Sequence, residues 1–117
     1  MESSLITKIL NAGTRASSSG NMQPYSIIVT QDKEIKKELL PLNFNQSMVM
    51  DAPVLLTFCA DFNRMRKWLE INKAPENFDN LVSYFIGMID ATLASQNVAL
   101  AAEAEGLGIC YMGTTLA

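Results

Sequence analysis

Histidine is absent from the 117 residues, and its absence removes whole classes of chemistry. Without an imidazole there is no Ser-His-Asp or Cys-His nucleophile system and no His-containing zinc site. An enzyme built from such a chain takes its reactive group most economically from a cofactor, because cofactors carry chemistry that side chains cannot. Basic runs are also missing. The 9 Lys and Arg stand against 12 Asp and Glu, for a formal net charge of -3, so the cationic footprint that a nucleic-acid backbone requires is not there. The start, Met1-Glu2-Ser3-Ser4-Leu5, has neither the basic residues nor the apolar stretch of a secretory signal. Only two cysteines occur, Cys59 and Cys110, each inside an apolar run. That placement suits buried thiols of a reducing compartment better than a disulfide framework. The expectation is a cytoplasmic protein with no nucleic-acid and no membrane partner.

The longest apolar stretch, Val82 to Ala102, carries Asp90, Gln96 and Asn97 and is rich in Ala, Gly and Ser. These residues weaken its transfer into lipid, so it reads as a buried helix of a soluble protein. With 49% hydrophobic residues, residues 1–117 can form the core of one domain of mixed α and β elements.

Apolar positions Leu5, Ile6, Ile9, Leu10 and Ala12 predict a short amphipathic helix with Ser3 or Ser4 as its cap and Gly13 weakening its end. The turn-forming run Ser17 to Pro24 predicts a loop, and Tyr25 to Thr30 a strand. Asp32 caps a helix that Pro41 should stop, and Asn43 to Asp51 reads as irregular. After Pro53, the unbroken apolar run Val54 to Ala60 predicts a central strand covered on both faces. Asp61 can cap a helix through Arg64, Trp68 and Leu69. A long helix from about Phe78 to Glu105, apolar on most of its circumference, ends at Gly106. Ile109 to Met112 reads as a third strand.

Two segments could meet a ligand. Ser17 to Pro24 offers small hydroxyls and free backbone N–H groups, suited to a phosphate or the polar edge of a ring. An unspecialised turn explains the same residues. Leu107 to Thr114 reads as a helix exit, a short strand and a glycine where backbone could approach a planar ligand closely, although helix capping alone accounts for Gly106 and Gly108. The glycines leave a helix and flank a strand, which is the reverse of the dinucleotide fingerprint. Asn45-Gln46 is a further amide pair, or simply loop. Asp61 with Arg64 reads as a helix cap and a surface charge.

In order along the chain, four blocks carry a resemblance to one family: Ala16-Ser17-Ser18-Ser19-Gly20-Asn21-Met22-Gln23-Pro24-Tyr25-Ser26; Asn45-Gln46 followed by Asp51-Ala52-Pro53-Val54 and a strand ending Cys59-Ala60-Asp61; Asp90-Ala91 through Gln96-Asn97 to Glu103; and Gly106 to Gly113. Together they resemble the nitroreductase family, and within it the flavin-dependent nitro and quinone reductases. The resemblance implies an α+β three-layer sandwich with a central mixed sheet and a long buried dimer helix, here incomplete. It also implies an intertwined homodimer with flavin mononucleotide (FMN) at the subunit interface. NADPH or NADH would give hydride to the flavin, and a nitroaromatic, quinone or similar small-molecule acceptor would take it.

Carried over by position, Ser18 matches a flavin-contacting serine with Ser19 beside it, and Gln46 matches an amide that hydrogen-bonds the flavin. Tyr111, Met112 and Gly113 match the backbone passing the ring. Thr114 stands where some members have a second glycine. No residue is assigned as catalytic, and no metal ligand is expected. Two family features have no counterpart in these residues: an Arg-rich segment before the first helix, and a C-terminal segment bearing Lys or Arg toward the phosphate. Each lost charge-assisted hydrogen bond to phosphate costs roughly 1.5 to 3 kcal/mol. The leading expectation is therefore a shortened flavin oxidoreductase. A second reading is a non-catalytic remnant that dimerises or binds flavin weakly, and a third is an α/β interaction domain unrelated to flavin.

Overall fold

The structure, a computed structural model, describes residues 1–113. Its elements in chain order are α1 (Ser3–Gly13), a 3₁₀ turn (Ser19–Asn21), β1 (Tyr25–Thr30), α2 (Lys33–Leu42), α3 (Met48–Asp51), β2 (Leu55–Ala60), α4 (Asn63–Ile71) and α5 (Leu81–Ala104). The α+β class expected from the sequence holds, with α5 as its axis.

At 24 residues, α5 is about 36 Å long. It is long and apolar enough to cross a membrane by length and composition, but its two faces differ in a way that composition does not reveal. Ser83, Gly87, Asp90, Ala91, Ala94, Ser95, Val98, Ala99 and Ala102 are buried. These positions recur at spacings of three and four, so they form one stripe, and nearly all are small. The large apolar residues Phe85, Ile89 and Leu93 lie on the other side and are exposed, as are Leu81, Tyr84 and Met88 nearer the start of the helix. Within this chain the helix is thus not buried all round, as its sequence suggested. Its small-residue face is core and its large-residue face is bare.

Small residues let neighbouring backbones approach closely. At Gly13 of α1, an added Cβ would lie 2.5 Å from Val98 Cγ2 and 3.3 Å from the Ala94 carbonyl oxygen. At Gly87 of α5, it would lie 3.0 Å from Ala60 Cβ and 3.3 Å from Phe62 Cε2. One glycine sets the distance of α1 from α5, and the other sets that of α5 from the end of β2. Between them Ile9, Val98 and Ala102 form a buried cluster against which Leu5, Leu56, Phe58 and Leu107 pack. Gly13 therefore permits close packing, beyond weakening the helix end as its sequence position suggested.

β1 and β2 pair antiparallel in a register from Tyr25 opposite Ala60 to Thr30 opposite Leu55. Among the described residues the sheet has these two strands alone, so β2 has one strand neighbour and its Thr57 and Ala60 are exposed. The expected third strand is not formed. Ile109–Met112 makes no ladder hydrogen bonds, and Ile109, Cys110 and Tyr111 are exposed. A strand needs a partner edge to satisfy its N–H and C=O groups, and this segment pairs with neither open edge of the two-stranded sheet. For the same reason Cys110 is exposed and Cys59 only half-buried, where buried thiols were expected.

Helix ends follow local rules with several departures. Asp32 caps α2 as expected, its Oδ1 accepting from Glu34 N at 2.9 Å and Ile35 N at 3.0 Å. Asn80 caps α5, accepting from Ser83 N at 2.9 Å. The α5 exit is a Schellman turn, with Leu107 N donating to Ala102 O at 3.0 Å and Gly106 N to Glu103 O at 2.9 Å. Gly106 takes φ 79 there, the left-handed conformation that glycine adopts without penalty. Glu2, rather than Ser3 or Ser4, precedes α1 as its cap residue. Pro41 lies inside α2, which ends one residue later. In the last turn a proline forfeits one hydrogen bond without dismantling the turns before it. Asn43 to Asp51 contains the short helix α3 beyond a bend where Phe44 and Asn45 have positive φ.

The close approach at Gly13 makes a prediction. Gly13→Ala gains helix propensity of roughly 1 kcal/mol, yet its methyl meets the stiff, buried Val98 side chain. We expect a net loss of about 1–3 kcal/mol in urea unfolding, partly recovered by adding Val98→Ala; an unchanged or higher midpoint would contradict the packing. A second prediction concerns Asp61. Its carboxyl is held below its ordinary value by the Ser26 hydroxyl, which donates to it, aided by the Asn63 and Arg64 N–H groups and the Arg64 charge and opposed by burial. A lowered folded-state pKa gives stability that is present above the unfolded value of about 3.9 and lost as pH falls through the folded value. Ser26→Ala should raise the Asp61 pKa in a carboxyl-carbon NMR titration.

Candidate functional site

The Ser17–Pro24 segment leaves α1 and enters β1 through an unusual backbone. Gly20, Asn21 and Gln23 have φ of 56, 54 and 50. Each non-glycine residue in that region costs about 1–2 kcal/mol, so the shape needs support from outside the loop. Three ties supply it. Asp61 N donates to Pro24 O at 2.8 Å, and Arg64 Nη2 donates to Gln23 O. At the serine end, Ser19 N donates to both carboxylate oxygens of Asp90, at 3.2 and 3.1 Å. Asp90 is 1% exposed, which makes this a buried carboxylate reaching 71 residues back along the chain.

These ties decide which polar groups of the loop remain open. The Ser19 N–H is occupied by Asp90, so of the two neighbouring serines only Ser18 keeps an uncommitted N–H, and Ser19 keeps its hydroxyl. Ser18 precedes the 3₁₀ turn in an extended conformation, and its side chain makes no capping hydrogen bond. It is half-buried, at the edge of the loop.

Of the other expected contacts, Tyr111 is anchored on α5, its hydroxyl donating to Ser95 Oγ at 3.3 Å. Asp90 and Ser95 are five residues apart, about 7.5 Å along the helix and about 140° around it. The loop and the Tyr111 segment therefore lie on different flanks of one helix. Met112 is half-buried and Gly113 exposed. Among the described residues, a Cβ at Gly113 would meet nothing within 4 Å. Gln46 is exposed in the bend between α2 and α3, and its side chain has no described partner within the chain. Thr114 lies outside the described residues.

Two open clefts lie nearby, and both belong to the α4 side. One, of about 450 Å³, is lined by Asp61, Asn63, Arg64, Lys67, Trp68 and Ile71. The other, of about 620 Å³, runs between Phe62, Arg66 and the start of α5. Arg66 there is already paired, with Nε 2.7 Å from Glu76 Oε1 and Nη2 3.6 Å from Asp79 Oδ1. Neither cleft contains Ser18, Gln46 or Tyr111. One chain thus fastens two of the expected segments to α5, and neither of these clefts joins them.

In the sequence Asp90 is the lone charge inside a 21-residue apolar run and the start of the third of the four blocks. Its partner was not legible, because a hydrogen bond to a backbone amide 71 residues away leaves no trace in residue type. The Asp61 carboxylate, expected as a helix cap, does serve Asn63 N at 3.0 Å. Its bond to the Ser26 hydroxyl across the strand pair was not foreseen.

The same arrangement of elements recurs in known proteins. FMN reductase (NADPH) from Bacillus subtilis (strain 168) is 39% identical over 110 residues, covering 92% of this chain and 44% of that protein. The solved structure of a B. subtilis nitroreductase superposes with a TM-score of 0.93 at 36% identity, over 97% of this chain and 47% of that one. The structure of NADPH:FMN oxidoreductase from Vibrio harveyi complexed with NAD+ gives a TM-score of 0.85 at 34% identity, over 97% and 48%. The chain therefore spans about half the length of the relatives it matches. A family model described as the nitroreductase family matches residues 1–117. On that match, the shared fold and the Ser-rich loop seated on its long helix, this chain belongs to the nitroreductase family.

Proposed function

We propose that these residues form part of a flavin oxidoreductase site, which binds FMN and passes hydride from NADPH or NADH to a small acceptor such as a nitroaromatic or a quinone. The observation that carries this reading is the Ser17–Pro24 loop, held in a left-handed shape from two sides while the Ser18 hydroxyl stays uncommitted. The names of the B. subtilis and V. harveyi relatives, an FMN reductase and an NADPH:FMN oxidoreductase, support the same cofactor and reductant.

The donor set suits a flavin. Ser18 offers a hydroxyl and an N–H, Ser19 a hydroxyl, and Gln46 an amide that can donate and accept. Tyr111, Met112 and Gly113 offer backbone along a ring, with open space at Gly113. Thr114 continues that stretch in the proposal. Bound FMN would supply the two-electron chemistry. The chain's own residues bind and orient; with no histidine among them, proton handling falls to water, the acceptor or other groups at the site.

The bare face of α5 supports a homodimer. Leu81 is 68% exposed, Tyr84 57% and Phe85 47%, a contiguous apolar surface of the kind that marks an interaction site. A second copy packed there would bury it through a two-fold contact. It would also bring another chain against the flanks where Ser18 and Tyr111 stand apart, completing a pocket that one chain leaves open. The free thiols suit a reducing, cytoplasmic setting.

Two measurements check this reading. The purified chain, mixed with FMN and passed through gel filtration, should retain flavin absorption that bleaches on adding NADPH or NADH. A colourless protein with FMN in excess would overturn the enzyme reading for these residues and leave a dimerisation module. Phe85→Glu should convert a dimer into a monomer in sedimentation equilibrium while helix content persists; a monomeric parent chain, or a dimer indifferent to the change, would contradict the interface.

A further inference from the structure

A carboxylate in the middle of the small-residue face of α5 is costly where alanine would pack. Removing a charge from water is unfavourable unless hydrogen bonds replace the lost hydration. Asp90 sits between Gly87 and Ala94 on that face, 1% exposed, and both of its oxygens converge on one donor, the Ser19 N–H. The pairing holds little else together. α5 is already fixed to α1 and β2 through Gly13, Gly87 and the Ile9–Val98–Ala102 cluster, none of which needs a charge. The ties from Asp61 and Arg64 hold the proline end of the loop. Among the described residues, Asp90 alone reaches its serine end.

We infer that Asp90 is a positioning residue: it fixes the Ser17–Asn21 half of the loop so that the Ser18 hydroxyl and N–H face outward in a ready-made geometry. The device is specific to the backbone. By taking the Ser19 amide, the carboxylate anchors the residue after Ser18 and leaves the Ser18 groups unspent. It also compensates locally for the left-handed Gly20 and Asn21 that follow. A loop set in advance does not have to be ordered when a ligand arrives, which is how preorganisation raises affinity. The link to flavin rests on the function proposed above; the link between Asp90 and the loop does not.

The test compares the 117-residue chain with Asp90→Ala and Asp90→Asn, using backbone amide exchange by NMR, FMN titration and thermal unfolding. In the parent, the Ser19 amide should exchange at least about tenfold more slowly than that of Gly20, as a charge-assisted bond implies. Asp90→Ala should abolish that protection and weaken FMN binding about tenfold, while amides at Ala94, Val98 and Ala99 keep their protection. Asp90→Asn retains an accepting oxygen and should restore both properties to within about threefold of the parent. A Ser19 amide unprotected in the parent would overturn the inference, and so would one still protected in Asp90→Ala. Should Asp90→Ala fail to fold, the parent measurement and Asp90→Asn still decide it. If the parent binds no FMN, the flavin reading fails by itself, and Ser19 exchange continues to judge the role of Asp90.

Discussion

The approach of α5 to its neighbours at van der Waals distance is the constraint on which the rest of this structure depends. Two glycines, one at each contact, make it possible: Gly13 against Val98, and Gly87 against Ala60 and Phe62. With α1 and the β2 end drawn so near, the buried face of α5 has room only for Gly, Ala, Ser and one Val, with Asp90 as the polar exception. The bulk of the helix's apolar side chains is then forced outward. An outward face of large apolar side chains is the kind of surface that marks an interaction site. Packing inside one chain thus leaves an apolar outer face that the proposed homodimer would cover.

The same helix organises the candidate site. It receives the serine loop at Asp90 and the Tyr111 segment at Ser95, on different flanks of one rigid rod. A chain arranged in this way presents the two candidate segments in fixed relation. This division of labour fits a site completed at an interface, with one subunit holding its pieces steady and the other supplying a wall.

Much of this was readable in the residues, because it rests on local rules. Asp32 before a helical pattern, Gly106 after one, and Ile27-Ile28-Val29 between turn formers each follow from short-range sterics and capping, and each lies where the sequence placed it. The four ordered blocks were enough to suggest the family. Failures came where tertiary context decides. Ile109–Met112 has strand-like composition but pairs with neither open edge of the sheet, and Val54–Ala60 looked central yet has one strand neighbour among the described residues. The apolar circumference of α5 hid the separation of small from large side chains, which sets its core and outer faces. Of the site, Ser18 and Ser19 were named but their division of labour was not, since the Asp90 contact that spends one N–H and spares the other joins residues far apart in sequence.

If α5 is the frame from which the other elements hang, it should be the last part of the chain to open. Native-state hydrogen exchange across all amides measures this directly. The account predicts that amides from Gly87 to Ala99 exchange only through global unfolding, with α1 next and α4 opening well before either. It would be contradicted if the β1–β2 pair outlasted α5, or if α5 exchanged by local fraying through its centre.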